Sequence, residues 1–450
     1  MQRLTLFMIV VVMLFDFLAN GDRFGNGGWL PGPFSYFSEL TSALALTYVV
    51  IVGTRDRFQF VRPAFWLAMG ALLIVIICGV VTNGVGSGPI VAGIRSYVRA
   101  IPWFFLPAIF DFSEADIRKQ LKWLLALSLL QIPVAIRQRI QTGDASWGFV
   151  AVTGDWTVGT LGDSGVLSVF LVCAVCIVAA MYERKQLTLK QFLCAFLALL
   201  TPTMINETKA MVLFLPVGML CAFMTAADPR VRVKRIMAGL SFLLLFGALF
   251  VPVYDAMNAD RQYGQSLGEF FLDPGNVESY VGSSAEIGEQ KDVGRGDSIA
   301  VPLRSLAKDP VQLMFGYGIG NASDSSLGLE FGGRYADVFR PFMQASFSKF
   351  ILELGVIGVT LLLIVYWMIF QDCRAVARAD RGLMGAVAAG WTGVIGIMSI
   401  AMFYNKGEVF PSLSYLFWYF SGLVVARRMR LAAQSSERSQ QSLPMSMRTV

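Results

Sequence analysis

Histidine is absent from all 450 residues. That removes His-dependent zinc sites, Ser-His-Asp triads and imidazole general bases together. Charge is scarce as well: 15% of the residues are Asp, Glu, Lys or Arg, and 55% are hydrophobic. A soluble domain carries roughly a quarter charged residues to cover its surface, so the natural solvent for this chain is lipid. The six cysteines (Cys78, Cys173, Cys176, Cys194, Cys221, Cys373) lie in or at the end of apolar runs, and none falls in the long polar segment. Disulfides are therefore not expected, and the Cys173/Cys176 pair is assigned to helix packing rather than to metal or redox chemistry. The net charge of +6 is scattered at segment ends, which excludes a nucleic-acid face and suits topology determinants.

What the chain has instead is apolar runs near the bilayer-crossing length of about 20 residues. They predict twelve spans, at 4–20, 38–54, 64–82, 94–112, 121–140, 163–182, 191–206, 209–227, 236–254, 346–370, 383–404 and 411–427. The first contains Asp16 and lacks a cleavage-site pattern, so it is expected to be a retained helix. Clusters such as Arg55/Arg57/Arg62, Arg118/Lys119/Lys122, Arg184/Lys185/Lys190 and Arg427/Arg428/Arg430 each follow an even-numbered span. The positive-inside rule then places both termini in the cytoplasm and 255–345 outside. The expected organisation is spans 1–9 over 1–254, a large outer loop over 255–345, spans 10–12 over 346–427 and a disordered tail over 428–450. The outer loop should carry an amphipathic helix near 297–308 and pack against the membrane surface. Its Gly316-Tyr317-Gly318-Ile319-Gly320 run resembles a dinucleotide fingerprint only superficially, because no strand precedes it, and is expected to be a flexible tight turn.

Basic residues on the outer side run against the topology rule and are therefore informative. Arg95 and Arg99 lie four apart on one helical face, Arg137 ends the fifth span, and Lys209 sits in the turn Asn206-Glu207-Thr208-Lys209. Arg295, Arg304, Arg334 and Arg340 lie in the outer loop, and Lys349 and Lys406 at outer helix ends. Each could snorkel to headgroups or pair with Glu207, Asp155 or Glu408. Taken together they point to an outer-leaflet pocket for a lipid-linked pyrophosphate, since charges at membrane depth mark sites and arginine suits phosphate.

This layout resembles the O-antigen ligase and Wzy-type polysaccharide polymerase superfamily. The local likenesses are Thr160-Leu161-Gly162-Asp163-Ser164, Asn206-Glu207-Thr208-Lys209, Arg295 followed by Asp309-Pro310 and Phe315-Gly316-Tyr317-Gly318-Ile319-Gly320-Asn321, and Glu353-Leu354-Gly355-Val356-Ile357-Gly358, covering roughly 150–360. Ligases of the superfamily place a histidine about nine residues before the Glu-Leu-Gly, where this chain has Gln344. The resemblance is thus to the polymerases, closest to those of Gram-negative exopolysaccharide systems. It implies an all-α polytopic membrane protein with a GT-C-like glycosyltransferase architecture and one large periplasmic loop, in a bacterial inner membrane. The implied reaction joins undecaprenyl-pyrophosphate-linked oligosaccharides: a growing glycan leaves its carrier as the hydroxyl of an incoming unit attacks. Neither metal nor other cofactor is required, because the leaving pyrophosphate carries the activation. A chain-length-regulating co-polymerase and a flippase are the implied protein partners. Arg95, Arg99, Arg137, Lys209, Arg295, Arg334 and Arg340 are candidates to bind pyrophosphate, and Glu207, Asp163 and Asp337 to act as base or sugar contact.

Three other functions fit the sequence less well. A ligase would lack its base at Gln344. A flippase would be expected to show two related halves, short outer loops and charge buried mid-helix, whereas Asp16 is nearly alone at mid-depth here. A metal-dependent glycosyltransferase would need acidic ligands in the first outer loop, where 20–37 offers only Asp22.

Overall fold

The computed structural model describes residues 2–22, 24–55, 61–142, 156–206, 208–227, 230, 232–258, 273–275, 278, 285–287, 290–325, 327–407 and 410–441. Among the described residues the regular structure is helical save for a hairpin of two three-residue strands, β1 (Ala285–Ile287) and β2 (Gln290–Asp292). A backbone in hydrocarbon must satisfy its own hydrogen bonds, which a helix does within one segment. Helix α1 runs Gln2–Asn20 with a π turn at Val11–Phe15, and α2 covers Phe37–Arg55 after a 3-10 turn. There follow α3 (Pro63–Thr82), α4 (Ser87–Val98), α5 (Ile101–Ile109), α6 (Glu114–Thr142), α7 (Ser164–Glu183), α8 (Leu189–Ile205), α9 (Met211–Ala226) and α10 (Arg232–Asn258). After the hairpin come α11 (Arg295–Leu306), α12 (Pro310–Phe315), α13 (Ala336–Phe339), α14 (Ser346–Ala379), α15 (Leu383–Ala401) and α16 (Pro411–Gln441).

Seven helices among the described residues are long and apolar enough to cross a membrane: Gln2–Asn20, Gly32–Arg55, Pro63–Thr82, Ser164–Glu183, Val233–Ala256, Ser346–Ala379 and Leu383–Ala401. The chain is a polytopic membrane protein. The other five expected spans take different forms. Span 94–112 is divided between α4 and α5, because Pro102 at the start of α5 has no N–H to continue the ladder. Span 121–140 lies within the 29 residues of α6, whose first turns carry Glu114, Asp116 and Arg118. Spans 191–206 and 209–227 are the shorter apolar helices α8 and α9, of 17 and 16 residues. Span 411–427 is the start of α16, which continues to Gln441, so the expectation of a disordered tail is corrected for 428–441, and its part over 442–450 lies outside the described residues. Residues 428–441 contain no Gly or Pro, and beside three Ser they carry mainly Arg, Gln, Ala, Leu, Met and Glu, all good helix formers.

Burial separates inside from outside within the bundle. The window in α7 is 89% buried and that in α15 83%, against 11% in α10, so α7 and α15 form the centre and α10 a lipid-facing edge. Close approach at the centre depends on small residues, as expected where lipid competes with every apolar contact. A Cβ added to Gly393 would stand 2.4 Å from the Gly218 carbonyl, and one added to Gly390 2.6 Å from the Cα of Ile177. Cys176 fills the same seam beside Gly218 and Gly393, which is the packing role assigned to the Cys173/Cys176 pair.

The Gly316–Gly320 run is packed inside the protein rather than lying on its surface. It is buried, with Tyr317 and Ile319 at 5% and 2% exposure, between α3, α4 and α14. Its three glycines all have positive φ, and a Cβ on Gly320 would meet the Pro89 carbonyl at 1.9 Å. Opposite it α14 breaks at Gly355, which adopts φ 65°, and the Leu352 carbonyl accepts the Tyr317 N–H at 2.6 Å. The Glu353-Leu354-Gly355 motif is therefore a place where the segment preceding α14 is joined to the bundle.

Candidate functional site

Charge is gathered at the two ends of the bundle. At one end Arg62 pairs with Asp372, Arg427 with Asp380 and Arg430 with Asp111, at 2.8, 2.6 and 2.8 Å. At the other end, where α1 and α4 finish and α2, α7 and α14 begin, there is a chamber of about 860 Å³. Arg95, Arg99, Arg340, Lys349 and Lys406 line it, against Asp16, Glu39 and Asp324. Two annexes adjoin it. One of about 200 Å³ shares Lys406 and Phe410 with the chamber and adds Asp163, Arg295, Gln344 and Tyr404. A larger one, of about 580 Å³, shares Asp16 and Asn20 with the chamber and Asp163 and Ser164 with the small annex.

The cations of the chamber are unequally neutralised. Arg95 and Arg99 both reach Glu39 Oε1, at 2.8 and 3.4 Å, while Ser38 Oγ donates to the other oxygen. Arg95 also lies over the Tyr36 ring, 5.5 Å from its centroid. Two guanidiniums thus converge on one carboxylate oxygen. Lys349 Nζ donates to Ser96 Oγ at 2.7 Å and rests over Tyr97. Arg340 is different: Asp324 accepts from it through both oxygens at 2.9 Å and Asp337 at 2.8 Å, so its charge is more than balanced and its protonation held more firmly than usual, chiefly by the hydrogen bonds to Asp324. The Lys406 side chain faces the cavity with protein around it. This enclosure pushes its ammonium below the ordinary lysine value; Asp163 opposes the shift and Arg295 adds to it.

In the small annex Arg295 donates to the Gln344 carbonyl at 3.0 Å and stacks over Tyr404 at 5.3 Å. Gln344, the position where the resembled ligases have histidine, thus lies in the site and contacts a candidate phosphate-binding arginine. Asp163 caps α7, accepting from the Val166 N–H at 2.9 Å, and still lines both annexes. Behind the chamber wall, Glu353 is 1% exposed and accepts from Tyr97 at 2.9 Å and from the chamber-lining Ser323 at 2.6 Å.

Of the residues proposed from sequence, Arg95, Arg99 and Arg340 line the chamber, and Arg295 and Asp163 line the annexes. Four others line none of the three cavities. Arg137 lies on an exposed stretch of α6. Arg334 is exposed and lies over Tyr335. Asp337 is 89% exposed and tied to Arg340. Lys209 stays in the turn before α9, where its carbonyl accepts from Val212. Glu207 lies outside the described residues. Sequence reasoning missed Glu39 and Asp324 altogether, gave Asp16 no role in the site, and counted Lys349 and Lys406 among the outer basic residues without naming them as candidates. Glu39 had one signal, as an acid in the outer first turn of a span. No family model matches this chain, and no curated protein matches it either.

Proposed function

We propose that this chain is a polysaccharide polymerase that joins undecaprenyl-pyrophosphate-linked oligosaccharide repeats at the periplasmic face of a bacterial inner membrane. The observation that carries the reading is the pair Arg95 and Arg99 sharing the single carboxylate of Glu39 at the wall of a large chamber. Such a pair offers two sets of forked donors of the kind that bind phosphate oxygens, with Lys349 and Lys406 on the same chamber. The chamber opens at the end of the bundle carrying the outer segment, and the basic loops lie at the opposite end. With α4 and α5 counted as one crossing, the helices α1 to α10 and α14 to α16 would make twelve crossings, and the positive-inside rule in this reading has both termini in the cytoplasm.

In this reading the departing pyrophosphate is held by Arg95 and Arg99, with Lys349 and Lys406 adding charge where water is partly excluded and electrostatic stabilisation is strongest. The walls of the chamber and its annexes orient the two substrates. Gln344 has no basic side chain, which favours polymer extension over the ligase reaction.

The test is the lipid-linked glycan profile of a strain lacking the protein, compared with the complemented strain. Single repeat units accumulating on the carrier at the periplasmic face, with loss of long polymer, are the expected result. Full-length polymer stranded on the carrier would point to a ligase, and single units held on the cytoplasmic face to a flippase.

A further inference from the structure

We propose that the 580 Å³ annex holds the acceptor's sugar residues and that Asp16 takes the proton from its attacking hydroxyl. This rests on the polymerase reading above and names the missing half of its site. The two cavities are sorted by charge. Five basic side chains line the chamber, whereas none is among the described residues lining the annex, which has Asp16, Asn20, Asp22, Thr160 and the ring of Trp156. An anion would be repelled there. A neutral, many-hydroxyl ligand finds hydrogen-bond acceptors and an aromatic face to lie against.

Asp16 sits at the passage, because it and Asn20 line both cavities. The two are four apart on one helical face, and Asn20 Nδ2 donates to Asp16 Oδ1 at 2.8 Å. The π turn Val11–Phe15 ends directly before Asp16. A π turn adds one residue to the helix, rotating the remainder of the helix by about 100°, and such turns recur at functional sites. Here Val11 and Val12, from that turn, line the chamber beside Asp16.

Elimination leads to the same residue. Of the three carboxylates in the chamber, Glu39 is engaged by Arg95 and Arg99, and Asp324 by Arg340. In the annex, Asp22 accepts from the Phe24 and Asn26 backbones and from Asn26 and Gln138 side chains, and Asp163 caps α7 through Oδ1 and faces the charge of Lys406. Asp16 has no ion pair and no partner on Oδ2 among the described residues. It is the carboxylate left to accept a proton, and it stands between the cations and the sugar cavity.

The step balances without a co-reactant. A hydroxyl oxygen of the acceptor forms a bond to the anomeric carbon of the donor, and its proton passes to Asp16 Oδ2. The bond from that carbon to the pyrophosphate oxygen breaks, and its electron pair leaves with the pyrophosphate held by Arg95 and Arg99. Asp16 then releases the proton to water in the chamber.

The experiment uses the full-length protein in lipid nanodiscs with lipid-linked repeat units. Asp16→Asn should lower kcat about 100-fold or more while inorganic pyrophosphate binds as to wild type. Added formate should restore part of the rate to Asp16→Ala, which a structural role would not permit. Trp156→Ala should raise KM for the acceptor and weaken binding of the free, carrier-less repeat oligosaccharide without changing pyrophosphate binding. Wild-type turnover by Asp16→Asn, or loss of rate in Asp16→Ala that formate leaves untouched, overturns the role of Asp16. Equal binding of the free oligosaccharide by Trp156→Ala and wild type overturns the annex as its site. If the wild-type protein itself forms no polymer from such units, the polymerase reading falls first and this assignment falls with it.

Discussion

Glu39 holds one carboxylate oxygen 2.8 Å from Arg95 and 3.4 Å from Arg99, dividing a single negative charge between two guanidiniums. An incoming pyrophosphate competes with that carboxylate. Glu39→Gln should therefore tighten binding of inorganic pyrophosphate ~5-fold, about 1 kcal/mol, the upper end for a pair that solvent reaches. Arg99→Ala should weaken it. Isothermal titration of the purified protein reads both; weaker binding by Glu39→Gln would show that the carboxylate orients the arginines rather than competing for them.

Lys406 supplies a pH dependence. Its ammonium is pushed below the ordinary lysine value by enclosure, with Arg295 adding to the shift and Asp163 and Asp324 opposing it. Only the charged form attracts an anion, and a lowered value means that form is lost at lower pH than for a free lysine. Pyrophosphate affinity should thus fall as pH rises through the range below about 10.4. Lys406→Arg, charged throughout that range, should hold affinity level. Identical pH profiles for the two proteins would remove Lys406 from the anion site.

Gly355 is expected to tolerate no side chain. With φ at 65° and a new Cβ 2.4 Å from the Met314 carbonyl, Gly355→Ala combines backbone strain with a clash against main chain. The two together should cost about 3 kcal/mol. Thermal unfolding in detergent should show a fall of several degrees. An unchanged midpoint would mean that the break in α14 can be straightened without cost.

Arg427 and Asp380 provide a contrast at the opposite end of the bundle. Both Nε and Nη2 of Arg427 donate to Asp380 Oδ2, at 2.8 and 2.6 Å, and Asp380 is mostly buried. Arg427→Ala should cost about 1–2 kcal/mol, since a charged hydrogen-bonded partner is lost but Arg427 is itself about one-third exposed. Thermal stability should drop while pyrophosphate affinity stays at the wild-type value. A change in that affinity would mean that the two ends of the bundle are coupled.

The helices α7 and α14 show how much could be read in advance and why. Their apolar runs, expected at 163–182 and 346–370, appear as Ser164–Glu183 and Ser346–Ala379. Insertion into lipid depends on the length and polarity of a contiguous segment, which a sequence displays directly. The helix expected near 297–308 occupies Arg295–Leu306 for a similar local reason, its amphipathic spacing. By contrast, the division of 94–112 between α4 and α5 turned on Pro102, whose signal was visible but outweighed by the apolar run around it.

Composition and apolar periodicity by themselves determined that this chain is a polytopic helical membrane protein with charge concentrated at helix ends. Only the tertiary structure decided which of the outer basic residues share a cavity. Arg95, Arg99, Lys349 and Lys406 come together while Arg137 and Arg334 remain exposed, although all six looked alike in sequence. Which helices pack side by side decides which end-charges meet. That choice rests on contacts between residues far apart in the chain, such as Arg99 with Glu39 on one side of the chamber and Glu353 with Tyr97 behind it. No local stretch of sequence carries that information, because the free energy of each contact exists only when both partners are already in place.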